Sequence, residues 1–391
     1  SGDPATYRRE LADMAALTPD RVRIAVARWL SRPVLAVNVV PGPRTERGET
    51  MGGWGDEATS PARPKDAKKR IAPVAKSPPR SLPGVAPVGD LAFPAIERTT
   101  LSNGIPVTLA RRSAVPKAIV SLSFDAGTSA DRLDTPGTQS LMLAMLDEGT
   151  DTRDSTRIAE EQERLGATIS TGASLDASSI VLDALTANLA PSLALMADIA
   201  RNPAFAEGEV ARVRAQQLAR LSQVEATPSA LASRSLAPLL FGDSHPYGLP
   251  SDGLGNAASL SALTSGALRA AHKRWLRPDL ARITVVGDVT MDALKPLLEE
   301  AFGSWKAPGS DLPRKAIDAP VPAPRSRIVV IDRPNSPQSV IMGGRVLALT
   351  GRDRNLEALD LANEVLGNGF LSRLNMDLRE EKGWSYGVRS G

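Results

Sequence analysis

The spacing of apolar residues along the chain predicts a series of strands and helices. Residues 98–101 and 105–109 flank the turn residues Asn103-Gly104, which predicts a β-hairpin. The strands expected after this hairpin are 118–124, 168–173, 179–184 and 283–286, and the helices are 155–165, 189–199, 207–223, 231–240 and 290–302. Strands, then helices, then a closing strand predict an α+β fold, with helices on one face of a mostly antiparallel sheet.

The stretch 136–150, PGTQSLMLAMLDEGT, predicts a further helix in the middle of this series. The apolar residues that recur at the spacing of a core-facing helix are Leu141, Met142, Met145 and Leu146. Ser140, Leu143 and Ala144 share another face at i, i+3 and i+4, where a helix can present three converging polar groups. None is present, so the stretch alone predicts an ordinary buried helix.

The two ends of the chain carry further elements. Residues 6–30 predict helices with Thr18 as an N-cap, and residues 34–40 (VLAVNVV) predict a buried strand. Towards the other end, the expected strands are 327–332 and 339–343, and the expected helices are 356–365 and 372–381.

Residues 16–30 and residues 262–276 form an internal repeat. The residues of the first copy that recur in the second are Ala16, Leu17, Thr18, Arg23, Ala25, Arg28, Trp29 and Leu30. In both copies the predicted helix leads into an apolar strand. This repeat indicates duplicated domains, and it predicts that residues 1–45 close a domain that begins elsewhere on a longer or processed polypeptide.

Composition narrows the possible chemistry. The chain has no cysteine, which excludes disulfides, thiolate catalysis and cysteine zinc sites. Its 2 histidines, His245 and His272, are too few for a multi-histidine metal site. A net charge of +3 and 4% aromatic residues argue against a nucleic-acid surface. No apolar run reaches the roughly 18 residues of a membrane span.

Residues 46–94, rich in Pro and Gly, predict an extended linker, and residues 307–326 predict a second connection.

A series of short motifs runs through the chain in a fixed order. The motifs are Leu101-Ser102-Asn103-Gly104, Asp125-Ala126-Gly127, Gly149-Thr150, Leu165-Gly166-Ala167, Asn202-Pro203-Ala204-Phe205, His245-Pro246-Tyr247-Gly248, Val286-Gly287-Asp288, Ser372-Arg373-Leu374, Leu378-Arg379-Glu380 and Gly383-Trp384-Ser385-Tyr386-Gly387. Their order and distances resemble the pitrilysin/insulinase (M16) family of zinc metallopeptidases. The resemblance covers nearly everything except the linker.

The resemblance implies a domain organisation. The family is built from repeated α+β domains, two in each half, and the halves close like a clamshell around a peptide. Residues 1–45 then correspond to the end of a preceding M16 domain, and residues 46–94 to the linker between halves. Residues 95–308 correspond to a complete domain, and residues 309–391 to the start of a final one.

The resemblance also implies a degenerate metal site. Active members carry the zinc motif His-x-x-Glu-His on the helix at this place. Aligned on Gly137 and Gly149-Thr150, the motif positions are Ser140, Leu143 and Ala144. A hydroxyl, an isobutyl group and a methyl group cannot hold zinc or take a proton from water.

The third zinc ligand, normally a Glu on a later helix, falls near Ala219 or Arg220. We therefore expect no metal or cofactor in this chain, and zinc in a catalytic half on the same polypeptide or in a partner subunit. Asp147 and Glu148 are interpreted as a solvated turn after the helix.

The remaining candidates divide between structure and catalysis. His245, in its loop motif, is expected to be structural, and His272 to be a tolerated surface or boundary residue. The resemblance implies that Arg379 and Tyr386 reach across the clamshell to the zinc site of the other half. Tyr386 could then donate a hydrogen bond to the developing oxyanion, and Arg379 could orient the substrate carbonyl. From the residues alone, Arg379 is interpreted as one of several charged residues on a helix, and Tyr386 as a half-buried aromatic residue of a strand.

These inferences predict the non-zinc-binding half of an M16-type metalloendopeptidase. It would supply chamber wall and the pair Arg379 and Tyr386 for hydrolysis of a peptide substrate, and alone it would be inactive. The alternatives are a catalytically inactive structural scaffold and an inactive partner of a separate catalytic subunit. Residues 1–45 argue against the partner role, because they imply a preceding half on the same polypeptide. The composition fits an exported or periplasmic bacterial protein.

Overall fold

The structure is a computed structural model that describes residues 5–38 and 93–391, apart from 335 and 337, together with the single residues 3, 84 and 89. The chain divides into two compact units, Ser1–Val88 and Gly89–Gly391. The predicted linker 46–94 lies outside the described residues, apart from 84, 89 and 93–94.

The described residues of the first unit form two helices, α1 (Thr6–Ala15) and α2 (Pro19–Leu30). The hydroxyl oxygen of Thr18 accepts a hydrogen bond from the Arg21 N–H at 3.3 Å, which confirms the predicted N-cap. The predicted strand 34–40 is wrong over residues 34–38, which form no strand, while 39–40 lie outside the described residues. A strand needs a neighbouring backbone for its N–H and C=O groups, and none of the described strands pairs with this segment.

The second unit begins with a strand-rich half and continues with helices. Its elements in chain order are β1 (Ile96–Thr100), β2 (Pro106–Arg111), β3 (Lys117–Phe124), α3 (Thr138–Ala144), α4 (Ser155–Leu165), β4 (Thr168–Ala173), β5 (Ser178–Leu185), α5 (Leu189–Arg201), α6 (Glu207–Ala226), α7 (Pro228–Phe241), α8 (Ala257–Ala262), α9 (Ser265–Trp275), β6 (Ala281–Gly287) and α10 (Met291–Leu298). The predicted order of elements is confirmed.

The six strands form one sheet in the order β1-β2-β6-β3-β5-β4. Only the pair β2 and β6 is parallel, and the other four neighbouring pairs are antiparallel. The strand of the internal repeat, β6, therefore lies in the middle of the sheet, between the hairpin and β3. The predicted α+β class with a mostly antiparallel sheet is confirmed.

The core lies on one face of this sheet. Val120, Leu122, Ile180 and Ile283 point to that face and are at most 1% exposed. The alternate residues of β3 and β6 on the other face are half-buried or exposed. Leu141, Met142, Met145 and Leu146, all at most 1% exposed, cover the buried face from α3 and the turn after it, as the helical spacing predicts. The prediction of helices on one face is confirmed.

The described residues of the last part of the second unit form helices and no strand. The predicted strands 327–332 and 339–343 are wrong, because their described residues pair with no neighbour, and Ile328 and Ile341 are 93% and 95% exposed. The predicted helices are confirmed as α11 (Leu356–Asn363) and α12 (Arg373–Asn375). Each continues as a wider π-helical turn, Glu364–Asn368 after α11 and Met376–Glu381 after α12.

Candidate functional site

A buried carboxylate fixes the start of α3, the helix at the zinc-motif position. Asp131 is 8% exposed, and its two oxygens accept hydrogen bonds from Gly137 N at 2.7 Å and Gln139 N at 2.8 Å. Burial raises the pKa of Asp131 to about 7, against the lowering effect of the backbone N–H groups at the helix start. Gly137 has a positive φ of 93°, and a Cβ there would lie 2.9 Å from Leu254 O, so this turn requires glycine.

The three motif positions on α3 face different surroundings. Ser140 is half-buried, and a Cβ on Gly253 would lie 2.8 Å from its Oγ, so backbone packs closely against this hydroxyl. Leu143 is 1% exposed and belongs to the core, while its carbonyl accepts the Thr171 hydroxyl at 2.8 Å. Ala144 is exposed. The donor set therefore does not fit zinc: one hydroxyl is the only side-chain oxygen or nitrogen on this face.

The helix that would supply a third ligand is α6, and it contacts α3. Ala219 and Arg220 are both exposed there. The buried polar residue of α6 is Gln217, whose amide donates to Leu254 O at 3.1 Å. Over the described residues, no three His, Asp or Glu side chains lie close enough together to hold a metal ion.

The acidic residues after α3 correct one prediction. Asp147 and Glu148 are half-buried rather than solvated. Burial raises the pKa of Asp147. Burial also raises the pKa of Glu148, although Arg212 of α6 opposes the shift. Glu148 forms an ion pair with Arg212, and Arg212 also pairs with Glu209 at 2.7 Å, so charges join the α3 turn to α6.

Two predicted motifs meet just beyond this turn. Ala204 N donates to Gly149 O at 2.9 Å, and Asp151 N donates to Asn202 O at 3.0 Å. The Thr150 hydroxyl donates to Asp198 of α5 at 2.7 Å. The Gly-Thr and Asn-Pro-Ala-Phe motifs are therefore in contact, and they fix the end of the α3 segment against α5.

Both histidines have structural partners. His245 is 2% exposed, and its Nδ1 accepts from Tyr247 N at 3.0 Å, as expected for a structural loop residue. His272 is half-buried, hydrogen-bonded through Nε2 to Ala200 O at 2.9 Å, and edge-on to Phe205. Burial lowers the pKa of His272. It is a boundary residue with a defined partner.

The structure brings Arg379 and Tyr386 together. The guanidinium carbon of Arg379 lies 5.5 Å from the centre of the Tyr386 ring. The Arg379 side chain is 25% exposed, and Tyr386 is 83% exposed. The two residues predicted as a pair are therefore neighbours on the surface, and Tyr386 is accessible to a ligand.

A third member of this group was not predicted from the sequence. Phe370 lies in the turn after α11, and the guanidinium carbon of Arg379 lies over its ring, 4.4 Å from the ring centre. Arg379 Nη1 lies 3.0 Å from Glu380 Oε1, an ion pair outside hydrogen-bond alignment. The only sequence signal for Phe370 is its position directly after the glycine turn at Gly369.

A second polar cluster, also missed by sequence reasoning, joins the 307–326 connection to two loops. The Lys315 side chain is 7% exposed, and its Nζ lies 2.6 Å from Asp125 Oδ1 and donates to Asp176 O at 2.8 Å. Tyr247 donates its hydroxyl to Asp176 Oδ1 at 2.8 Å, and burial, helped by Asp176, raises the pKa of Tyr247 to about 12. These residues are far apart in sequence, so spacing gives no signal of their contact.

Arg277 binds the start of the same 307–326 connection. It is 2% exposed and pairs with Asp279 at 2.5 Å. Its guanidinium also donates to the carbonyl oxygens of Pro308 at 3.2 Å, Ser310 at 3.0 Å and Asp311 at 3.1 Å. A buried cation of the domain, Arg277, therefore holds the start of the predicted connection.

None of the helices in the described parts of the chain has the length and apolar character of a membrane span.

The fold and the motif positions agree with the comparisons to known families. The model of the insulinase family, peptidase family M16, matches residues 107–243. The model of the peptidase M16 inactive domain matches residues 262–391. The chain belongs to peptidase family M16, and its second matched region is of the inactive-domain type.

Relatives and solved structures support the same assignment. A Mycobacterium tuberculosis protein described as an uncharacterized zinc protease is 29% identical over 312 residues, which cover 79% of this chain and 69% of the relative. A peptidase M16 inactive domain from Pseudomonas fluorescens is 28% identical with a TM-score of 0.63, covering 76% of this chain and 70% of that chain. The periplasmic protease PqqL from Escherichia coli shares the fold at 18% identity and a TM-score of 0.52, over 58% of this chain and 26% of that chain.

Proposed function

We propose that this chain is the non-zinc-binding half of an M16-type metalloendopeptidase that hydrolyses peptides in a clamshell chamber. It contributes chamber wall, and it contributes Arg379 and Tyr386 to a zinc site in a catalytic half. That half lies on the same polypeptide or in a partner subunit. In this organisation residues 95–308 are a complete M16 domain, and residues 309–391 begin a final one.

The contact between Arg379 and Tyr386 is the observation that carries the proposal. The guanidinium carbon of Arg379 lies over the Tyr386 ring, 5.5 Å from its centre, and Tyr386 is 83% exposed. Both groups are hydrogen-bond donors, and donors aimed at a carbonyl oxygen stabilise the negative charge that develops on it during peptide hydrolysis. Arg379 orients the carbonyl, and Tyr386 donates to the oxyanion.

The donor set on α3 and α6 supports placing the metal outside this chain. Ser140, Leu143 and Ala144 offer one hydroxyl, and the third-ligand positions on α6 are exposed without a carboxylate. We expect the isolated chain to bind no stoichiometric zinc in elemental analysis and to cleave no peptide. One tightly bound zinc per chain would contradict this part of the proposal.

A second candidate is a catalytically inactive structural or partner subunit of M16 type. The ion pair of Arg379 with Glu380 and its stacking on Phe370 favour this candidate, because they give the arginine a structural use without any substrate. The two candidates differ in what happens when the donors are removed.

The deciding experiment measures peptide cleavage by the chain assembled with its catalytic half. We expect Tyr386→Phe and Arg379→Lys each to lower kcat by about a hundredfold, the usual effect of losing one oxyanion donor, with zinc content unchanged. Tyr7→Phe, at an exposed tyrosine of the first unit, is the matched control and retains full turnover. Full turnover in both site variants would favour the structural candidate.

We propose a periplasmic or exported location for the protein. The fold shared with the periplasmic protease PqqL from Escherichia coli supports it. Fractionation of the source cells should place the protein outside the cytoplasm, and recovery with cytoplasmic markers would contradict this assignment.

A further inference from the structure

Strand β1 forms an open edge of the sheet. The sheet order places β1 at one edge and β4 at the other. The β4 edge is covered within the domain, because α3 and α4 contact β4 and Ile169 N donates to Gln162 Oε1 at 2.6 Å. Of the five residues of β1, only Thr99 is half-buried and the others are exposed. An exposed edge strand is a template for pairing with another chain, so the uncovered β1 edge is a candidate interaction surface.

The hydrogen-bond pattern of the hairpin shows which backbone groups of β1 face outwards. Leu101 N donates to Ile105 O at 2.9 Å, so these two residues form a bonded pair. Bonded and non-bonded pairs alternate along an antiparallel ladder, so β2 takes the backbone groups of Glu97 and Thr99. The residues whose N–H and C=O groups point away from β2 are Ile96, Arg98 and Thr100. In the described parts of the chain no residue is hydrogen-bonded to those groups, so they are available to an added strand.

A groove lies beside this edge, between β1 and α10. Its volume is about 470 Å³, and its apolar lining comes from Met291 and Pro296 of α10. When an extended peptide adds a strand to a sheet edge, main-chain hydrogen bonds give affinity, and pockets for alternate side chains give specificity. The edge and the groove together therefore supply both parts of a site for an extended segment.

The charges of the groove favour an acidic occupant. Arg98 and Lys295 line it, and neither has an ion-pair partner among the described residues. Glu299 is already engaged, because its two oxygens accept from Ser102 N at 2.8 Å and from Ser102 Oγ at 2.7 Å. Asp292 lies in the first turn of α10, where the helix dipole stabilises a negative charge. The two cations are therefore left for an acidic group of the occupant.

A second copy of this chain is a poor occupant for the same edge. Arg98 is the middle residue of β1. If β1 paired antiparallel with β1 of a second copy over its whole length, the two Arg98 side chains would lie directly opposite each other. Like charges directly opposite are destabilising, whereas a carboxylate opposite Arg98 is stabilising. The edge therefore favours a different chain with an acidic residue at this position.

We infer that β1 is a docking edge for an extended acidic segment of a partner protein. The segment adds a strand beside β1 and bonds to the outward-facing groups of Ile96, Arg98 and Thr100. It places an Asp or Glu opposite Arg98 and an adjacent apolar side chain in the groove, against Met291. This inference is independent of the proposed catalytic role.

Peptide binding to the full chain, measured by fluorescence anisotropy, tests the charge preference. The probes are a fluorophore-linked Thr-Val-Glu-Val-Thr peptide, blocked at its C-terminus by an amide, and the same peptide with Lys in place of Glu. We expect the Glu peptide to bind about tenfold more tightly, because its carboxylate pairs with Arg98 where the Lys is repelled. Arg98→Gln should reduce this preference to about twofold, because the charge opposite the peptide is then lost.

Thr100→Pro tests the backbone pairing. It removes an N–H that points away from β2, so the ladder between β1 and β2 keeps its bonds. We expect this variant to stay folded by circular dichroism and to bind the Glu peptide about tenfold less tightly. Ala173→Pro, in the edge strand β4, is the matched control and should bind the peptide like the unmodified chain.

The inference is overturned if the Glu peptide does not bind at about 1 mM, if both peptides bind equally, or if Thr100→Pro leaves binding unchanged. Sedimentation of the unmodified chain addresses the other occupant. A dimer that Thr100→Pro converts to a monomer would also overturn the inference, because a second copy would then cover β1.

Discussion

The guanidinium group of Arg379 contacts two aromatic rings, with its carbon 4.4 Å from the centre of the Phe370 ring and 5.5 Å from the centre of the Tyr386 ring. Attraction between a cation and the faces of two rings restricts the side chain, although Phe370 and Tyr386 are themselves mostly exposed. The contacts of Arg379 with both rings therefore lie within this chain and need no ligand.

Phe370→Leu should lower peptide turnover of the assembled protease by about two- to fivefold. The cation–π contact at an exposed site is worth about 0.5–1 kcal/mol, and its loss lets Arg379 leave its orientation. Phe370→Tyr keeps the ring face and should restore turnover, whereas Leu371→Ala, at the exposed neighbour, should change little. Steady-state kinetics would count against this positioning role if the Leu and Tyr variants behaved alike.

The titration of Asp131 should lower the free energy of unfolding as the pH rises from 4 to 7. Its folded pKa, about 7, lies above the ordinary value of 3.8, so the folded state holds the proton more tightly. Its stabilising effect is therefore complete below pH 3.8 and is lost as the pH rises through 7, at up to about 1.4 kcal/mol per pH unit. Urea unfolding at pH 5 and pH 7.5 measures the loss.

Asp131→Asn removes this titration, so the variant should lose less stability than the unmodified chain between the two pH values. Asp134→Asn is the matched control, because Asp134 is exposed and paired with Arg132 at 2.7 Å. Parallel pH profiles for the unmodified chain and Asp131→Asn would mean that the N–H groups at the α3 start keep the carboxylate ionised throughout.

Lys315→Met should loosen the 307–326 connection. The variant keeps the buried stem of the side chain but loses the charged hydrogen bonds to Asp176 O and Ala126 O and the ion pair with Asp125. The free energy of unfolding should fall by about 1–2 kcal/mol. Thermolysin should then cut within 307–326 before it cuts the domain.

Lys306→Met, at an exposed lysine close to the connection, is the control and should be cut like the unmodified chain. Equal cleavage rates for Lys315→Met and Lys306→Met would show that Lys315 does not hold the connection.

The sequence predicted the helices and strands of residues 96–302 because their apolar periods are local properties. Leu141 and Met142, for example, are buried where the helical spacing places them. The same reasoning failed at 327–332 and 339–343. Those segments have the composition of strands, but a strand also needs a partner backbone, which local composition does not describe.

The amino-acid sequence by itself determined the family motifs, the α+β class and the lack of zinc donors at Ser140, Leu143 and Ala144, because each depends on residue identity and short spacing. Only the tertiary structure decided the parallel pairing of β2 with β6, the burial of Asp131, and the contacts of Lys315 with Asp125 and of Phe370 with Arg379. Those features depend on which distant segments the sheet and its helices bring together, and no local pattern in the chain encodes that choice.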